Sequence, residues 1–189
     1  MRLGLLGGSF DPIHFGHLRA AENAREALEL DQVLFVPAGR PPHKPRTQAP
    51  GWDRFAMACL ATAGHPAFLV SDLELRREPP SYTVDTLGLV AAERPDDELW
   101  LIVGSDTLAD LGGWRDCARV FELARLAVVS RPGAEPGPAP VGARVDLAPG
   151  PALEVSSSQV RELLRTGRST RYLIPDAVAD YARKRGLYR

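Results

Sequence analysis

The sequence predicts a doubly wound α/β fold, a parallel sheet with helices on both faces. Two observations carry that expectation. Short apolar runs, many closed by glycine, proline or serine, recur along the chain, as strands buried on both faces do. Between them lie longer segments whose apolar residues return at helical spacing. The two kinds of segment alternate at regular intervals, which crossover helices on a parallel sheet require. In such a sheet a ligand binds beyond the carboxyl ends of the strands. That singles out residues 7–17, 37–45, 71–83, 104–106 and 130–131.

Residues 3–6 form an apolar run bounded by glycine and read as the first strand. Leu18, Ala21, Arg25 and Leu28 keep helical spacing, so 17–30 reads as a helix. Residues 33–36 (VLFV) are a second strand, followed by a proline-rich loop, 37–51, long enough to be functional. Asp53 near its start and Gly64 past its end bound a helix over 52–63. A third strand at 68–70 and a polar stretch, SDLELRREPPSYT, lead to a helix over 84–93. Residues 99–103 (LWLIV) are the fourth strand, with Gly104-Ser105-Asp106 directly behind it. A helical region runs on to about 124, broken at Gly112-Gly113. Residues 126–130 are the fifth strand, and a loose Pro/Gly-rich connection follows. Residues 144–155 hold one more short strand or two; helices close the chain at about 158–167 and 176–185. With no repeat and no clear linker, 1–189 is expected to be one domain, its helical part from about 156 packed on the rest.

Composition narrows the function. The 189 residues are 44% hydrophobic and 25% charged, an ordinary globular balance. A net charge of −1 argues against broad nonspecific binding to DNA, RNA or anionic membrane. No apolar run reaches membrane-span length, and Asp11 and His14 interrupt any signal-like start. Cys59 and Cys117 form no CxxC, so a reducing, cytoplasmic setting without structural zinc is expected. Of 23 basic residues only Lys44 and Lys184 are lysine and 21 are arginine. A lysine in a proline-stiffened loop therefore marks a place for a compact ammonium.

The stretch GGSFDPIHFGH, residues 7–17, carries the chemistry. Glycines behind a strand let main-chain N–H groups approach a phosphate, and the helix that follows offers its N-terminus. This is neither GxxxxGK[ST] nor GxGxxG. His14 and His17, three apart at a helix start, share one face, with Gly16 between them allowing close approach. Chemistry alone leaves phosphate binding, a metal pair and two structural histidines all open.

GGSFDPIHFGH resembles the [TS]-F-D-P-x-H-x-G-H signature of the adenylyltransferases of the nucleotidyltransferase superfamily. Ser156-Ser157-Ser158-Gln159-Val160-Arg161 resembles their second signature, I-S-S-T-x-[IV]-R. Pro41-Pro42-His43-Lys44, Ser81–Leu87, Gly104-Ser105-Asp106 with Trp114, and the ending from Arg171 to Tyr188 are similar to one branch, the bacterial nicotinate-nucleotide adenylyltransferases. Residues 132–152 match nothing recognised; Val155 and Ser158 replace the Ile and Thr of the second signature.

The resemblance implies a Rossmann-like nucleotidyltransferase fold and adenylyl transfer from Mg²⁺-bound ATP to nicotinic acid mononucleotide, giving the dinucleotide and pyrophosphate. It implies that His17, with His14 beside it, stabilises the transferring phosphoryl group. Gly8, Ser9, Phe10, Gly104, Asp106, Ser156, Ser157 and Arg161 would line the ATP site; Lys44, Thr83, Trp114 and Arg131 would meet the mononucleotide. Asp106 could equally be a helix N-cap, the serines could cap their helix, and Trp114 could be core. No protein ligand for the metal is named, no nucleic acid or membrane partner is expected, and a homo-oligomer is left open. Nicotinamide mononucleotide, phosphopantetheine and a noncatalytic nucleotide sensor remain alternatives.

Overall fold

In the computed structural model six strands form one sheet in the order β3-β2-β1-β4-β5-β6, every neighbouring pair parallel. The structure describes residues 1–40, 47–108, 110–129 and 137–189. The strands are β1 Arg2–Gly8, β2 Gln32–Pro37, β3 Phe68–Val70, β4 Glu98–Gly104, β5 Arg125–Val129 and β6 Val145–Ala148. Around them lie α1 Phe15–Ala27, α2 Gly51–Thr62, α3 Thr83–Glu93, α4 Ser105–Leu108, α5 Cys117–Leu123, α6 Ser157–Arg165 and α7 Asp176–Arg185, with one 3₁₀ turn at Leu111–Gly113. The expected doubly wound α/β architecture is the observed one.

Strand side chains sort by parity, which is why these runs are apolar throughout. Leu6, Val33, Phe35, Trp100, Ile102, Ala127 and Val129 face one cluster, with Ala21 and Ala24 of α1, Met57 and Ala58 of α2, and Val178 and Ala182 of α7. Their alternates, Leu3, Leu5, Leu34, Val36, Leu99, Leu101, Val103, Leu126 and Val128, face the other, with Leu87 and Val90 of α3 and Val120 and Phe121 of α5. A period of two across a sheet covered on both sides leaves polar residues in its central strands only at their amino ends, at Arg2, Gln32, Glu98 and Arg125. Each fully buried leucine stabilises the fold by about 2 kcal/mol.

Several boundaries differ from expectation, each for a local reason. β1 continues through Gly7 and Gly8, which pair with Val36 and Pro37, so the glycines end the strand rather than follow it. α1 starts at Phe15, two residues earlier than spacing suggested, because His14 is already extended and serves as its N-cap. Residues 105–124 split into α4, the 3₁₀ turn and α5, with left-handed Asp116 (φ 48°) breaking the run as well as the glycine pair. The stretch 144–155 holds one strand. α7 ends as its dipole favours, with Arg183, Lys184 and Arg185 in the last turn and Gly186 left-handed behind them.

At the amino ends of the strands, Arg125 grips Asp146 through two bonds, Nε to Oδ2 at 2.6 Å and Nη2 to Oδ1 at 2.7 Å, and Trp100 Nε1 donates to the same carboxylate at 3.0 Å. The Arg125 bond holds the Asp146 carboxyl below its usual range. A depressed carboxyl stabilises above its unfolded pKa, and the contribution is lost as pH falls through the folded value. Asp146→Asn should therefore cost about 1 kcal/mol at pH 7. The gap between variant and parent should shrink as urea titrations are moved from pH 7 down to pH 3.

Candidate functional site

Strand order reverses between β1 and β4, whose sequence neighbours β2 and β5 lie on opposite sides. At that crossover the connecting loops diverge and leave a crevice at the strands' carboxyl ends. β1 delivers Gly8 to it and β4 delivers Gly104.

The loop behind β1 turns under its own side chains. Phe10 is left-handed (φ 47°) and buried, its ring lying directly beneath Gly8. A Cβ on Gly8 would stand 2.9 Å from that ring, so glycine is required. Phe10 also meets His17 edge-on, centroids 5.0 Å apart and planes at 85°. His14 is buried, and its ring stacks on His17 at 3.6 Å and 24°. The main-chain N–H of His14 donates to Nδ1 of His17 at 3.2 Å. Nδ1 thus acts as acceptor, and in the neutral ring the proton sits on Nε2. The two histidines occupy one face at the N-terminus of α1, as their spacing led us to expect. At Gly16 a Cβ would lie 3.0 Å from His14 Nδ1 and 3.0 Å from Val155 Cγ1, so the glycine makes room for the buried ring that stacks on His17 and also for the segment before α6.

What fixes this loop is Asp11, which is buried and accepts from every side. Oδ1 takes the N–H of Ala49 at 3.0 Å and the hydroxyl of Tyr188 at 2.8 Å; Oδ2 takes the N–H of Gln48 at 2.8 Å. Arg161 Nη1 donates to the main-chain oxygen of Asp11 at 2.8 Å, and Ser157 Oγ to that of Pro12 at 2.9 Å. The second signature is thereby fastened onto the first. Burial, reinforced by the Asp11 carboxylate, pushes the Tyr188 hydroxyl far above its ordinary pKa, so it stays a donor.

The other predicted residues fall as follows. Ser156 is the N-cap of α6, accepting from Gln159 N at 3.2 Å, while Ser157 and Ser158 lie inside the helix rather than before it. Arg161 gives a second N–H to Ser158 Oγ at 2.9 Å. Asp106 is exposed and sits within α4, one residue past its start, so it is not the N-cap. Thr83 begins α3, whose N-cap Tyr82 makes no side-chain capping bond. Trp114 closes the 3₁₀ turn, half-buried against the second core cluster. Arg115, the next residue, stacks over the Tyr82 ring at 4.4 Å, which draws the Trp114 and Thr83 segments together. Lys44 and Arg131 lie outside the described residues. Among the described residues no group of three or more His, Cys, Asp or Glu could hold a metal ion.

Sequence reasoning missed Arg54, Tyr188 and Arg115. Arg54 had a signal: with Met57 and Ala58 it continues the helical spacing of a buried face, where a charged residue needs a reason. Tyr188 closed the family-like C-terminal stretch, but nothing local to it reveals a partner 177 residues away.

A model of the cytidylyltransferase-like family matches residues 5–163. The chain is 51% identical over its full length to a Thermus thermophilus protein named probable nicotinate-nucleotide adenylyltransferase, all of which is covered. It is 42% identical to a Geobacter metallireducens protein of the same name, covering all of this chain and 98% of that one. Among solved structures it is similar to a Plasmodium falciparum nicotinic acid mononucleotide adenylyltransferase complexed with NaAD. The TM-score is 0.79 at 19% identity, over 99% of this chain and 97% of that one. At that identity the likeness speaks for the fold.

The Asp11 carboxylate faces donors on both oxygens, so an amide in its place must turn an NH₂ group toward a main-chain N–H. Asp11→Asn should cost about 2 kcal/mol, the penalty of a buried donor left unmet. Denaturant titration should show a lower midpoint with an unchanged slope.

Proposed function

The chain belongs to the cytidylyltransferase-like family, among its nicotinate-nucleotide adenylyltransferases, and we infer from this that it joins ATP to nicotinic acid mononucleotide. The observation that carries the inference is the stacked His14–His17 pair at the crossover of β1 and β4. An oxygen of the mononucleotide phosphate attacks the α-phosphorus of ATP. The new P–O bond forms as the bond between the α-phosphorus and the bridging oxygen breaks, and pyrophosphate leaves. A phosphate dianion needs no general base, so the protein's task is positioning and stabilisation of charge.

His17 is assigned the central role. With Nδ1 accepting from the His14 N–H, the neutral ring carries its proton on Nε2, and that N–H is assigned to an α-phosphoryl oxygen. His14, stacked against it, holds the ring plane. Gly8, Ser9 and Phe10 are assigned to the nucleotide's phosphates, together with the N-terminus of α1 and the N–H groups of Arg161 that make no bond among the described residues. Ser156 caps α6 and Ser157 holds that helix against the loop, both at the side assigned to ATP, and Gly104 with exposed Asp106 is assigned to the nucleoside end of ATP. Thr83 starts α3, whose first N–H groups lack a side-chain cap, and donors of that kind suit the nicotinate carboxylate. Trp114 is assigned to the pyridine ring by stacking, and Lys44 and Arg131 to the mononucleotide phosphate. Mg²⁺ enters as part of the substrate Mg·ATP, where it offsets charge between the reacting phosphates. No helix among the described residues is long and apolar enough to cross a membrane; we assign the reaction to the cytoplasm.

Pyrophosphate release from Mg·ATP should be strong with nicotinic acid mononucleotide and weak with nicotinamide mononucleotide or phosphopantetheine. Activity with phosphopantetheine alone would move the chain to another branch, and ATP binding without any release would make it a sensor. His17→Ala should lower kcat by about 10²–10³-fold in a folded protein. An unchanged kcat would remove His17 from the site.

A further inference from the structure

Arg54 is the largest of the fully buried side chains among the described residues, with 1% of its surface exposed. A guanidinium in a core is costly unless its N–H groups are met. Here all four of its hydrogen bonds among the described residues go to main-chain carbonyls: Nη1 to Ser9 at 2.6 Å, Nη2 to Ala38 at 2.6 Å and Gly39 at 3.3 Å, and Nε to Ala49 at 3.3 Å. One rigid planar fork thereby spans three segments: the loop behind β1, the exit of β2 and the start of α2. Burial lowers the guanidinium pKa, while the nearby Asp11, Tyr188 and Glu74 act in the opposite direction.

The exit of β2 is in turn tied to the approach to α3. The Gly39 N–H donates to Glu74 Oε2 at 3.4 Å, and Thr86 Oγ1 donates to Oε1 at 2.7 Å. Ser81 N donates to the Arg40 carbonyl at 3.1 Å, and Arg40 N to Ser81 Oγ at 3.4 Å. A Cβ on Gly39 would lie 2.5 Å from the Glu74 carbonyl oxygen, so these segments touch with no space between them. An unbroken chain of contacts runs from Ser9, on the side assigned to ATP, through Arg54 and Gly39 to the helix that begins at Thr83, on the side assigned to the mononucleotide. Asp11, held by Tyr188, makes a second tie from the loop behind β1 to the main chain just ahead of α2, at Gln48 and Ala49.

We propose that Arg54 is a positioning residue for the transfer step, holding the two substrate-binding loops at the separation at which their phosphates meet in line. The proposal rests on the adenylyl-transfer reading above. Arg54 touches neither substrate. Its effect reaches the reaction through distance, and a displacement of about 1 Å between reacting groups costs about 100-fold in rate. A lysine keeps the charge yet cannot bridge three segments with a single ammonium.

The test compares the parent protein with Arg54→Lys, Tyr188→Phe and Val33→Ala, a core variant at the far, amino end of β2. For each, kcat, both KM values and the thermal midpoint are measured. Arg54→Lys should lose about tenfold or more in kcat with each KM within about threefold, the pattern of a contribution realised only in the transition state. Tyr188→Phe keeps the ring and loses only the hydroxyl; it should lower kcat severalfold with both KM values unchanged, and it decides the matter if Arg54→Lys does not fold. Val33→Ala should lower the midpoint and leave kcat alone. If both loop variants change only the midpoint, as Val33→Ala does, the role of Arg54 is stability and the proposal is overturned while the proposed function stands. If the parent releases no pyrophosphate from ATP and nicotinic acid mononucleotide, the functional reading fails and the proposal goes with it.

Discussion

A single buried carboxylate organises the candidate site. Asp11 sits under the loop that carries the histidines, and its two oxygens accept three hydrogen bonds from segments that share no secondary structure with it. An ionised group in so dry a place is tolerable only when its acceptors are filled. The fold fills them with two consecutive main-chain N–H groups and a phenol whose own burial keeps it protonated. The satisfied carboxylate then dictates where the 48–49 segment and the last turn of the chain must lie. Each of those segments is positioned by what Asp11 needs.

Electrostatics make the arrangement more demanding. A fixed negative charge under a site proposed for phosphates would repel them if left bare. Arg54 is buried within electrostatic reach of it, and Arg161 donates to the Asp11 main chain. Among the described residues both guanidiniums donate to protein oxygens, so they brace the loop and offset its charge together. The lysine-poor composition fits this use: a planar fork with five donors can meet several carbonyls at once, which a lysine ammonium cannot.

The sheet explains why this bracing sits where it does. Parity divides strand residues between two cores, so the edges that remain polar are the loops at the strand ends. Where strand order reverses at β1 and β4, neighbouring loops part company and expose main-chain groups to a ligand. Tight local geometry is found there: left-handed Phe10 beneath Gly8, and Gly16 giving way to the His14 ring. At the opposite end of the strands the Arg125–Asp146–Trp100 cluster joins β4, β5 and β6 and serves the fold alone.

Local pattern was enough for much of this. Apolar runs and helical spacing are properties of neighbouring residues, and they yielded the alternating elements, the parallel sheet and the loops at its carboxyl edge. The glycine–histidine stretch and the serine–arginine stretch were legible for the same reason, as was the family they resemble. Boundaries failed where a side chain overruled the pattern, as when His14 capped α1 early and Asp116 broke the 105–124 run. The sequence by itself determined the fold class, the order of its parts and the pair of histidines at the helix start. Only the tertiary structure decided what holds them. The partners of Asp11 lie 37, 38, 150 and 177 residues away, and those of Arg54 are carbonyls that every residue possesses. A periodicity cannot announce a bond to a main-chain oxygen, because that bond depends on where folding brings the oxygen and not on which residue owns it.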